Sequence, residues 1–146
     1  MAVAPAPQRP PRPPGWQRRL LALVVARLAQ PFAWGDHADC LGFVADAVQA
    51  MHDGRDVLAE SRQPRATPRQ AQRALRQAGG LLAGLARAGL EPVAPSHAVL
   101  GDVVLLRPAG RRREWLALCN GADALAPGPD GLEVVPMASA VMAWRH

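Results

Sequence analysis

The apolar residues of this chain change period once, near Pro95, and that change limits the folds open to it. Before Pro95 they recur at helical spacing; after it they form short runs separated by turn signals. Cys40, Phe43, Val44, Ala47, Val48 and Met51 fall at i, i+3, i+4, i+7, i+8 and i+11, one continuous helix face. Asp39 is the expected N-cap, which puts Cys40 at the first helical position, and Gly54 is the expected C′ residue. Trp16, Leu20, Leu23, Val24 and Leu28 predict an earlier helix over 16–30, stopped by Pro31. Thr67-Pro68-Arg69-Gln70 reads as a capping box with Pro at N1, opening a helix over 68–78 that Gly79-Gly80 closes. A short helix over 81–88 should follow, ended by Gly89. Strands are expected at 103–106, 115–119 and 132–135, with turns at Pro108-Ala109-Gly110 and over 127–131. Helices first and strands second predict an α+β domain, its N-terminal helices packed on a small antiparallel β-sheet, and argue against a βαβ fold.

A chain of 146 residues, 49% hydrophobic, has room for one domain with a real core. Residues 1–15 predict a disordered tail rich in Pro and Arg, and residues 16–146 a single domain. The longest apolar run, Leu20 to Ala26, is too short to span a bilayer. Arg9, Arg12, Arg18, Arg19 and Arg27 carry the whole formal excess of +5, so the body is neutral and nucleic acid is not an expected partner. The N-terminus lacks the small-residue cleavage pattern of a secretory signal. Cys40 and Cys119 form no CxxC pair and are expected as reduced thiols, Cys119 as inert core.

A thiol at a helix N-terminus meets the positive end of the helix dipole and the free amides of the first turn, and both favour the reactive thiolate. Catalysis would also need a base. His37 either folds back onto the Cys40 thiol, or stays a solvent-exposed loop side chain, or bonds Asp36 or Asp39. His97, ahead of the 103–106 strand, is the other candidate, against a turn-capping or surface role. His37, Asp39 and Cys40 lack a distant partner set, so neither a metal site nor a cofactor is expected. Trp34 either walls a groove or packs over the helix. Gly35 supplies a backbone conformation that other residues resist. Asp102 is expected to tie the loop before its strand. Arg111 to Arg113 should form a solvated hairpin tip.

Phe32-Ala-Trp34-Gly35, then Asp39-Cys40 and Phe43, resembles the nucleophile segment of NlpC-type cell-wall peptidases, small papain-like cysteine hydrolases. Gly101-Asp102-Val103-Val104-Leu105-Leu106 resembles their Gly-Asp strand entry, and the next strand, ending at Gly121, their second core strand. With Gly79-Gly80 and the closing Ala143-Trp144-Arg145, the ordered set is similar to a short phage- and prophage-associated branch often grouped with tail genes. The resemblance implies a papain-like fold over about residues 16–146, Cys40 at the nucleophile position, and Trp34, Gly35, Asp39 and Trp115 around a binding site. In active members a His opens the strand after the Gly-Asp strand; here that place falls at or beside Trp115, and an indole cannot accept a proton. The resemblance therefore implies a catalytically degenerate protein that binds or assembles with phage tail proteins, in the cytoplasm or a tail particle. The alternative it implies is an active cysteine hydrolase of cell-wall peptides, with Cys40 as nucleophile and His37 or His97 as base.

Overall fold

The computed structural model describes residues 12–35, 37–62, 65–77, 79–110 and 114–146. Among the described residues four α-helices precede six strands: α1 (Trp16–Arg27), α2 (Cys40–Met51), α3 (Pro68–Gln77), α4 (Leu81–Arg87), β1 (Glu91–Val93), β2 (Val103–Leu106), β3 (Trp115–Cys119), β4 (Asp123–Gly128), β5 (Gly131–Pro136) and β6 (Ala140–Arg145). The strands form one antiparallel sheet in the order β1-β6-β2-β3-β4-β5, so the domain is α+β. No helix among the described residues is long and apolar enough to cross a membrane.

The expected face of α2 is the centre of the helix-side core. Phe43, Val44, Ala47, Val48 and Met51 are essentially inaccessible, while Cys40 stays partly exposed at the helix start. Each large apolar side chain sealed here contributes about 1.5–3 kcal/mol relative to exposure. Asp39 does cap the helix, its Oδ1 accepting from the Gly42 amide at 2.7 Å. The other end differs from expectation. Asp53, at φ 55, takes the left-handed C′ position, and the Gly54 amide closes the turn on the Gln49 carbonyl at 2.9 Å.

Helix α1 stops at Arg27, short of Gln30, because the Leu28 carbonyl accepts from the Leu132 amide at 3.0 Å instead of continuing the helix. Leu28 consequently lies 53% exposed, off the inner face expected for it. Arg12 belongs to the folded body: its guanidinium sits 4.5 Å from the centre of the Trp16 ring and 3.7 Å from Asp102. The part of the expected tail covering residues 1–11, and the run Arg111 to Arg113, lie outside the described residues. The capping box forms with one change: Thr67 Oγ1 accepts from the Gln70 amide at 3.2 Å, and Gln70 Oε1 from Ala66 rather than Thr67.

Strands β1, β4 and β6 are additional to the three expected. The supposed turn over 127–131 is a hairpin in which Pro127 still pairs with Leu132, leaving only Pro129 and Asp130 at the tip. Along β2 and β3 the side chains alternate between two cores. Val103, Leu105, Leu116 and Leu118 face the helices, whereas Val104, Leu106, Ala117 and Cys119 join Ala124, Ala126 and Ala143 in a second cluster across the sheet. Asp102, fully buried, ties the preceding loop as expected, accepting from the Val99 amide at 2.9 Å and from Arg145 at 2.9 and 3.2 Å.

Candidate functional site

Capping by Asp39 fixes where the α2 N-terminus points, and the segment before it bends back across the sheet. The Phe32 amide donates to the Gly128 carbonyl at 2.7 Å, which pins that segment to the end of β4. Phe32 and Trp34 meet edge to face with ring centres 5.0 Å apart. Gly35, at φ 147, makes the turn back toward Asp39. Between these parts opens a cleft of about 840 Å³. Phe32, Trp34 and Cys40 line one side, Trp115, Pro127 and Glu133 come from the sheet, and Pro68 from the start of α3. Trp34, 38% exposed, thus walls the groove, and Cys40 and Trp115 open into the same space.

Arg65, absent from the expected site, holds the cleft's polar corner. Its Nε donates to Asp39 Oδ2 at 2.7 Å, and the same guanidinium reaches the Gly35 carbonyl at 2.9 Å. One side chain therefore fixes both the helix cap and the Trp34-Gly35 bend. The second unexpected residue is Glu133, whose side chain lies across Gly128: a Cβ there would stand 2.3 Å from Glu133 Cγ. The Glu133 side chain thus packs over the bare face of Gly128, and both residues line the cleft.

The environment of Cys40 opposes ionisation. Burial is the largest effect, followed by the negative charges of Asp39 and Glu133, and together they push the thiol up to about 12 despite its helix-terminal amide. Burial first, and then the two carboxylates, act against the thiolate expected at a helix start. Among the described residues no histidine lines the cleft. Among the described residues His37 bonds neither Cys40 nor Asp39, its Nδ1 lying 2.8 Å from Asp46 Oδ2, and the other expected partner, Asp36, lies outside the described residues. Asp46 is buried one turn and a half into α2 and also binds Arg27 at 2.5 Å and Arg62 at 2.6 Å. A buried carboxylate gains more from a third donor than a neutral thiol does, which explains the orientation of His37. His97 sits in the turn over 95–97 beside β6, its carbonyl accepting from Arg145 at 3.2 Å. That is the β1–β6 side of the sheet, whereas the cleft is built on β3, β4 and β5. Neither candidate base is brought to the sulfur.

Cys119 is fully buried in the second core, its thiol pushed up by burial. Among the described residues no group of three His, Cys, Asp or Glu side chains is placed to hold a metal ion. A second, smaller cavity of about 320 Å³ lies behind Arg65, between α3, α4 and the 59–61 turn.

The fold and site together define a small α+β domain with an aromatic cleft and a largely buried thiol at a helix start. The chain belongs to DUF6950, a domain of unknown function, whose family model matches residues 11–146. No curated protein matches it.

Proposed function

We propose that this domain is a binding or assembly protein on an NlpC-like, papain-like scaffold, serving a phage tail or a tail-derived machine, with its catalytic dyad lost. The observation that carries the reading is that Cys40 and Glu133 line one cleft, next to the Asp39 cap, and that no imidazole among the described residues lines it. Cysteine hydrolysis requires the thiolate and a base to activate it. A thiol at about 12 is ionised in about one molecule in 10⁵ at neutral pH. The resemblance would have a His at or beside Trp115, and the indole there can donate but not accept a proton. What remains is a large, mostly apolar cleft with a few placed polar groups, which suits holding an extended segment. The association with phage tails is supported by the ordered motif resemblance between residues 16 and 146.

The test compares the wild type with Cys40→Ser on cell-wall peptides, alongside co-expression with adjacent tail proteins. The reading expects no turnover above Cys40→Ser, and complexes that weaken at least tenfold in Trp34→Ala or Trp115→Ala, about 1.4 kcal/mol or more. Cys40-dependent turnover would overturn it in favour of a peptidase.

A further inference from the structure

We propose that the outer face of α3 is a docking surface for an acidic segment of a partner protein, a line of three arginines meeting a line of carboxylates. This deepens the binding reading and rests on it. The neutral body hides a separation of charge. Residues 61–90 hold six arginines and no acid, whereas residues 31–60 hold six acids against one arginine, and residues 91–146 six acids against five arginines. Helix α3 lies inside the basic stretch. Its Arg69, Arg73 and Arg76 fall at i, i+4 and i+7, within an arc of about 60° and along about 10 Å of helix. All three side chains are exposed, while Ala74, on the opposite side, is buried.

Nothing among the described residues answers this charge. Arg27, Arg62, Arg65, Arg107 and Arg145 each meet a carboxylate. Arg69, Arg73 and Arg76 make no ion pair or hydrogen bond among the described residues. No acid stands three or four residues away from any of them, and like charges at that spacing destabilise a helix. The stripe therefore weakens the isolated helix, and an anionic partner relieves the repulsion. Guanidinium groups suit carboxylates, which they bind through two parallel hydrogen bonds. A nucleic acid fits less well: three arginines neutralise about three phosphates, fewer than the roughly six to ten contacts of proteins that depend on the phosphate backbone. The same helix lends Pro68 and Gln72 to the cleft wall, so a partner seated in the cleft lies alongside α3.

The test titrates the full chain, followed by its amide and arginine side-chain resonances, with a capped peptide of two Glu-Ala-Ala-Glu-Ala-Ala-Ala heptads. The same peptide with Gln for Glu, and a short DNA duplex, are the comparisons. The Glu peptide should shift the α3 resonances with a Kd at least tenfold below that of the Gln peptide. Arg73→Gln should weaken it about threefold, and Arg69→Glu with Arg73→Glu at least tenfold. The indole resonance of Trp144, buried in the core, should stay in place and report that both variants remain folded. Equal affinity for the Glu and Gln peptides, or no loss in the doubly substituted chain, would overturn the proposal. Binding of the duplex that is tighter than that of the Glu peptide and lost with Arg73 would assign the face to nucleic acid and overturn it as well. None of these results touches the binding reading, which falls only to Cys40-dependent hydrolysis.

Discussion

Arg65 and Asp39, 26 residues apart in sequence, form an ion pair with both side chains almost sealed from solvent, at 4% and 3% exposure. Because Asp39 also caps α2 and Arg65 also holds the Gly35 carbonyl, the pair couples the start of the central helix to the wall of the cleft. Removing Arg65 would leave a buried carboxylate with one amide donor. Arg65→Ala should cost about 3–5 kcal/mol in urea unfolding. Arg65→Lys should recover only part of this, since an ammonium cannot make the forked contacts. A loss under 1 kcal/mol for Arg65→Ala would refute the coupling.

Cys40 should alkylate slowly and with an apparent pKa far above that of a free cysteine. Burial leads, and the charges of Asp39 and then Glu133 add to it, so neutralising Glu133 lowers the value. Glu133→Gln should raise the iodoacetamide rate at pH 8 by about two- to fivefold, the range for one partly solvated charge. An unchanged or slower rate would show that Glu133 does not act on the thiol.

Asp46 should make the fold acid-sensitive. Burial pushes its carboxyl up, but hydrogen bonds from Arg27, His37 and Arg62 outweigh that and hold it below the ordinary range. With the folded value below the unfolded one, its stabilisation is complete above the unfolded value of about 4 and is lost as pH falls through the folded value. Asp46→Asn should cost about 2–4 kcal/mol at pH 7 and flatten the stability profile below pH 4. Chemical unfolding across pH for both proteins would measure this.

Gly131→Ala should be among the most damaging small substitutions. The residue sits at φ 130, and a Cβ would stand 2.2 Å from the Leu28 carbonyl oxygen, a backbone atom that cannot swing aside. A cost of at least about 2 kcal/mol follows from strain and clash together. Thermal unfolding checks it, with Gly110→Ala, also at positive φ but open to solvent, as the milder control.

Features encoded locally were readable in advance. The start of α2 was legible because a cap residue and an apolar face are both short-range patterns, and β2 and β3 because their apolar runs are continuous. Strand β6 lacks a clear alternation, and β1 is three residues long with Pro92 inside it. Strand β4 contains Pro127 and Gly128, which read as a turn. The proline is tolerated because the pairing of β4 with β3 involves only Ala124 and Leu125, so no ladder partner awaits its missing N–H on that side. Cys40, Trp34 and Trp115 were placed at the site by motif order, and they do share the cleft. Arg65 and Glu133 were not, because no local pattern distinguishes one arginine among 17, or one strand carboxylate, from a solvated charge. A buried cap carboxylate implies a counter-charge, but the sequence alone does not say which.

Strands β2 and β3 have side chains sealed on both faces, so each belongs to the helix-side core and to the alanine-rich core at once. Their amides should be the last in the domain to exchange with deuterium, opening only when the entire fold comes apart. Harm to either core is thereby transmitted through the shared strands to the other, and the aromatic cleft cannot loosen its floor without risking the whole molecule.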